Sequence, residues 1–130
     1  MTDTIADMLT RIKNAYLANK DEVRMPSSKV LLAVAETMQK AGYLEKVAEE
    51  KNSRGQAELV LTLKYVETTP AVTDLKRVSK PGCRVYVTAA EIPQVLHGYG
   101  LAILSTSKGI LSGSDAKQQS VGGELLAEIW

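Results

Sequence analysis

The sequence predicts an α+β chain of two small lobes, an N-terminal α-β-α-β-β lobe packed against a mostly β C-terminal lobe with one short helix. Three observations carry this. Two stretches with apolar residues at helical spacing fall before Gly42. Strand-like alternation replaces them in the second part of that half. A stretch ending in proline, ETTP, then marks a change of texture, after which short apolar runs alternate with Gly, Pro and Ser turns. The expected boundaries are residues 1–66 for the first lobe, 67–70 for a linker and 71–130 for the second lobe. Lobes of roughly 60 residues bury a marginal core on their own, so they are expected to pack together.

The elements follow in order. Ile5, Met8, Leu9, Ile12 and Tyr16 define one apolar helical face. Thr4 and Asp7 fit a capping pattern, Asp3 suits the positive end of the dipole, and Asp7 and Arg11 stand one turn apart for pairing. VRMP is a short extended segment ended by Pro26. Ser28 caps a second helix through KVLLAVAETMQKA, and Gly42 stops it. YLEKVAEE and ELVLTLKYV are strands around an NSRG turn. In the second of them Leu59, Leu61, Leu63 and Tyr65 share one face and Val60, Thr62 and Lys64 the other. Beyond the linker, AVTDLKRVS and CRVYV are strands joined by a KPG turn. AAEIPQVL suggests a turn of helix near Pro93, and HGYG is a break. LAILSTS and ILS are strands, SDAKQQS a short capped helix, and ELLAEIW a final strand.

Charge and composition exclude several function classes. Lys and Arg total 16 against 15 Asp and Glu, a net charge of +1, so no global positive field marks a nucleic-acid binder. Between Lys76 and Lys108, however, Lys76, Arg77, Lys80, Arg84 and Lys108 face one acid, Glu91; on charge alone this reads as a solvated face. The single cysteine, Cys83, forms no internal disulfide, and with the single histidine, His97, it leaves no His/Cys zinc cluster. No cofactor is expected. Polar TDT directly after Met1 gives no signal-peptide pattern, and no apolar run nears the roughly 20 residues that span a bilayer. The expectation is a soluble, intracellular chain with no membrane partner and no small-molecule substrate.

The densest polar signal is STSKG, residues 105–109. It lacks the order of a phosphate loop and precedes no long helix. Ser105 and Lys108 do satisfy S-x-x-K, the spacing of serine–lysine acyl-transfer enzymes. That chemistry needs both residues on one helical face, whereas a strand points i and i+3 to opposite faces. An enzyme using Ser105 and Lys108 is therefore the weaker alternative, and the companion motifs are absent. A hairpin turn with Gly109 at positive φ explains the glycine, but it does not require Ser105, Thr106 and Ser107 together. Hydroxyls that both donate and accept, beside a lysine and a glycine, form a ledge suited to irregular RNA, which is read by shape, exposed bases and the 2′-hydroxyl.

GGE at 122–124 extends the idea. Gly122 and Gly123 permit close approach, and Glu124 can accept from a base amino group; an ordinary strand-edge carboxylate explains Glu124 equally well. Tyr86 can stack on a base or sit in the core, and its own pattern favours the core. A protein-only interaction module without RNA affinity is the remaining alternative.

IADMLTRIKNA, MPSSK, LTLKY, RVSKPGCRVY, GLAILSTSKGIL and VGGELLAEIW, in this order and spacing, resemble the family of bacterial small-subunit ribosomal protein number eight over essentially the whole chain. The resemblance implies a non-enzymatic two-lobe protein of the ribosome, cytoplasmic or in the equivalent organellar compartment. It implies direct binding to the central domain of small-subunit ribosomal RNA during assembly, with neighbouring ribosomal proteins as further partners. By matching positions it places Ser105, Thr106, Ser107, Lys108, Gly109, Gly122, Gly123, Glu124, Arg84 and Tyr86 at the RNA, and Asp3, Thr4, Ser28 and Lys29 at secondary contacts.

Overall fold

The computed structural model describes residues 3–95 and 99–130, so part of the break expected at HGYG lies outside the described residues. Within them the chain divides into two compact units. One is Thr4–Val72; the other is Thr73–Trp130 together with Asp3. The α+β class is as expected.

The first unit runs α1 (Thr4–Leu17), β1 (Glu22–Pro26), α2 (Lys29–Lys40), β2 (Leu44–Lys51) and β3 (Ala57–Leu63). Its sheet is antiparallel in the order β1-β3-β2. The apolar faces of α1 and α2 bury Met8, Leu9, Ile12, Val34 and Met38, and β3 buries Leu59, Leu61 and Leu63, as its alternation requires. The Ser28 hydroxyl accepts from the Leu31 N–H and starts α2. Gly42 ends it: the Gly42 N–H donates to the Gln39 carbonyl and the Tyr43 N–H to the Met38 carbonyl, a Schellman arrangement. Tyr16 ties the unit together, donating to the Tyr43 carbonyl at 2.6 Å and accepting from the Lys64 N–H at 3.1 Å. Its ring meets Tyr65 edge to face at 5.6 Å.

The stretch ETTP supplies the turn and second strand of a tight hairpin whose strands are β4 (Tyr65–Val66) and β5 (Thr69–Pro70). Its two turn residues, Glu67 and Thr68, have φ of 51° and 72°. Hairpins with two-residue turns take positive φ because that twist matches their strands, and normally place Asn or Gly there. Glu67 and Thr68 give no such signal.

The second unit runs β6 (Leu75–Arg77), β7 (Tyr86–Val87), a 3₁₀ turn (Ala89–Glu91), β8 (Leu101–Thr106), β9 (Gly109–Ser112), α3 (Gly113–Gln118) and β10 (Gly123–Ile129). Strand β10 is central, antiparallel to β8 on one side and to β6 and β7 on the other; β9 extends the sheet beyond β8. One sheet face packs Leu104 and Leu125 with Ile92 and Ala116, with Val85 and Val87 against them. The turn of helix expected near Pro93 is the 3₁₀ turn just before it.

One topology differs from expectation. The strands on either side of KPG do not pair with each other. Both lie along the same edge of β10, and Lys80–Cys83 is a loop extruded from that edge. The Ser79 N–H donates to the Leu125 carbonyl while the Leu125 N–H donates to the Val85 carbonyl, so both sides of the loop's neck meet one residue of β10. The turn itself closes by the reciprocal Lys80–Cys83 backbone pair at 3.1 and 2.9 Å.

Candidate nucleic-acid interface

Strand pairing assembles the candidate residues from distant segments. Tyr86 is opposite Glu124, Glu124 is opposite Ser105, and Ser105 is opposite Ile110. Directly paired residues point to the same face, so these four form one row across the sheet. Alternation sends Val85, Val87, Leu104 and Leu125 into the core, and therefore sends Arg84, Tyr86, Glu124 and Ser105 to the opposite face. Tyr86 is 70% exposed. The core position expected from its own pattern is overturned: an apolar-looking RVYV lies along a sheet edge with its valines inward and its tyrosine out.

The STSKG segment divides between strand and turn. Ser105 and Thr106 end β8, Ser107 and Lys108 are the exposed tip, and Gly109 opens β9. Gly109 has φ of 103°, the conformation expected of it. The Thr106 hydroxyl is spent on the turn, donating to the Gly109 carbonyl at 2.8 Å and accepting from the Lys108 N–H at 3.1 Å. Among the described residues, the Ser105 and Ser107 hydroxyls make no side-chain hydrogen bond and Lys108 makes no ion pair. The ledge thus presents two free hydroxyls rather than three. Ser105 is in a strand and Lys108 in the turn, so the helical geometry of a serine–lysine pair is missing.

Gly122 and Gly123 serve a different neighbour from the one expected. A Cβ on Gly122 would overlap the Val87 carbonyl oxygen, and one on Gly123 would overlap the Ser105 carbonyl oxygen. Their missing side chains let β10 enter between β7 and β8, with protein backbone on both sides. The glycines bring Ser105, Glu124 and Tyr86 into register.

Glu124 is anchored from within the protein. Its Oε2 accepts from the Ser79 hydroxyl and from Arg84 Nη1, the latter at 2.8 Å. Burial pushes the carboxyl up, but the Ser79 hydroxyl, the Arg84 bond and charge, and the charge of Arg77 outweigh it, so the group titrates below its ordinary value. The Glu124 hydrogen bond and charge raise Arg84 in turn. Ser79, wholly buried, also accepts from the Val85 N–H at 3.1 Å. Sequence reasoning missed Ser79. Its only signal is a small hydroxyl beside the KPG turn, and its partner lies 45 residues away.

The secondary positions fare unequally. Asp3 is engaged by Arg77, whose Nε approaches Oδ2 at 3.1 Å and whose Nη2 approaches Oδ1 at 3.3 Å. Arg77 Nη1 also donates to the Leu126 carbonyl at 2.7 Å, and both side chains are largely buried. Thr4 and Ser28 line one groove of about 260 Å³, floored by Met8, Met25 and Leu31 and rimmed by Asp7 and Ser27. Lys29 is exposed at the start of α2.

Fold and face describe an α+β chain with an exposed polar row on one sheet. Comparison with known proteins makes the class specific. A family model described as Ribosomal protein S8 matches residues 3–130. The small ribosomal subunit protein uS8 of Nitratidesulfovibrio vulgaris (strain DSM 19637 / Miyazaki F) is 52% identical over 130 residues, covering 100% of this chain and 99% of the relative. That of Persephonella marina is 49% identical over 135 residues, covering 100% and 99%. That of Mycoplasmopsis pulmonis is 50% identical over 131 residues, covering 100% and 98%. The chain belongs to the ribosomal protein S8 family. It is a structural, non-enzymatic, RNA-binding component of the small ribosomal subunit, with its role in translation.

Proposed function

We propose that this chain binds the central domain of small-subunit ribosomal RNA directly, organises it during subunit assembly, and reads it mainly through neutral hydrogen bonds and stacking. The observation that carries this is the convergence of the Ser105 and Ser107 hydroxyls, Lys108 and the exposed Tyr86 ring at one end of one sheet. Hydroxyls without a protein partner suit ribose 2′-hydroxyls, phosphate oxygens and base edges, and an exposed aromatic suits an unstacked base. Arg84 and Glu124 compensate each other, so the face is polar with little net charge. Thr106, Gly109, Gly122 and Gly123 act by shaping the backbone that presents these groups.

The C-terminal lobe, residues 71–130, carries the main contact in this reading, and the N-terminal lobe, residues 1–66, a secondary one. The groove that gathers Thr4 and Ser28, with Lys29 at the adjoining helix start, is the secondary surface. Asp3 acts indirectly, by holding Arg77. Neighbouring ribosomal proteins complete the set of partners.

Filter binding to fragments of small-subunit ribosomal RNA tests the reading. The expected result is saturable binding to a central-domain fragment and weaker binding to fragments of the other domains. Equal binding to all fragments, or none, would overturn it.

A further inference from the structure

We propose that Ser79 is a positioning residue of this RNA surface, and that its buried hydroxyl sets where Arg84, Tyr86 and Glu124 stand. The inference rests on the reading above and deepens it. Ser79 is the one polar side chain that is fully buried among the described residues. It makes two contacts of different kinds. The hydroxyl donates to the Glu124 carboxylate and accepts from the Val85 N–H.

The second contact closes the neck of the extruded loop. Ser79 and Val85 flank that neck and both meet Leu125 of β10. Drawing the Val85 N–H onto the hydroxyl holds Val85 against the sheet after the loop, and so fixes the phase in which the strand resumes. That phase decides that Val85 and Val87 enter the core while Arg84 and Tyr86 face outward. The first contact, with Arg84, holds the Glu124 carboxylate from two sides. One small side chain thereby ties the loop, the exposed tyrosine and the ion pair to one place.

The other groups around Glu124 are Arg77, itself paired with Asp3, and Tyr86 from the same sheet edge, and neutral Ser105 from β8. Without the hydroxyl, burial of Glu124 is opposed only by the arginines. Its carboxyl should then titrate higher, and Arg84 should lose its ionised partner as pH falls.

The test is a double-mutant cycle with RNA affinity as its readout, supported by carboxyl titration of Glu124 by NMR. Ser79→Ala should lower affinity for a central-domain fragment on the order of tenfold, the scale of losing a hydrogen bond to a charged group. In a Glu124→Gln background the same change should cost less than in wild type, because the charged contact is already gone, but it should still cost something, because the Val85 contact remains to be lost. As pH is lowered, the affinity of Ser79→Ala should begin to fall at a higher pH than that of wild type, because Glu124 takes up its proton sooner without the hydroxyl. The Glu124 carboxyl should titrate higher in Ser79→Ala than in wild type. Ser79→Cys keeps a weak donor of similar size and should recover part of the loss.

An equal loss in both backgrounds would reduce Ser79 to a packing residue and overturn the proposal. So would unchanged affinity in Ser79→Ala, or an unmoved Glu124 titration. If wild type binds and Ser107→Ala weakens it while Ser79→Ala does not, this inference fails alone. If wild type does not bind, the RNA reading fails with it.

Discussion

The two sheets both close their arginine–glutamate pairs but differ in what stands beside them. On the outer face of the β1-β3-β2 sheet, Arg24 is encircled by carboxylates: Nε meets Glu22 at 3.0 Å, and Nη1 meets Glu50 and Glu58 at 3.1 Å each. Hydrogen bonding to Glu22 and Glu58 holds its proton more firmly than usual. Every polar group in that cluster has a protein partner. On the Tyr86–Glu124–Ser105 row the ion pair is similarly closed, but it stands beside two hydroxyls, an ammonium and an aromatic ring that lack such partners. A face whose groups satisfy one another has little left for a ligand. A face that keeps its ion pair closed and its hydroxyls open can bind a polyanion by shape and hydrogen bonding, at low net charge.

The largest expected effect breaks the second face by its backbone. Gly123→Ala places a methyl on the Ser105 carbonyl, and overpacking of this kind costs about 1–3 kcal/mol. Urea denaturation should show the loss, and RNA affinity should fall with it. Next, Tyr86→Ala should weaken RNA binding by about 1–3 kcal/mol, the scale of stacking one base. Its thermal midpoint should stay close to wild type, since the ring is 70% exposed. A Tyr86→Ala variant that melts early and binds normally would return the tyrosine to a structural role.

A smaller effect follows from pH. The Glu124 carboxyl is held below its ordinary value, so its contribution to stability is fully present above the unfolded value near 4.5. It is lost as pH falls through the lower folded value. Glu124→Gln should therefore lower the neutral-pH midpoint, where the contribution is fully present, and its melting curves should converge with wild type as pH falls through the folded value. The smallest effect belongs to the first sheet: Arg24→Ala should leave RNA affinity unchanged and barely move the melting curve, because exposed ion pairs contribute little. A large loss of RNA affinity there would erase the contrast between the two faces.

Much of this arrangement was legible in the residues. The two helices follow from their apolar spacing, Ser28 and Gly42; the β8–β9 hairpin follows from STSKG between apolar runs. Local signals govern those elements, and local signals can be read. The rest depends on pairing over distance. KPG marks a turn, but nothing near it tells whether its flanks pair with each other or with β10. That choice put Tyr86 outside rather than in the core. Arg77 takes Asp3 from 74 residues away, and Ser79 takes Glu124 from 45. Thr106 belongs to the ledge by its sequence position, although its hydroxyl closes its own turn. Glu67 and Thr68 adopt a hairpin conformation that their side chains do not advertise.

The claim that RNA is read by uncharged hydroxyls is tested most directly by the salt dependence of affinity for a central-domain fragment, measured for wild type, Ser107→Ala and Lys108→Ala. Lys108→Ala should flatten the log–log slope by roughly 0.7–0.9, the contribution of one phosphate contact. Ser107→Ala should give a line parallel to wild type and displaced to weaker binding at every salt concentration. If the Ser107→Ala line instead coincides with wild type, the hydroxyl ledge is not what holds the RNA.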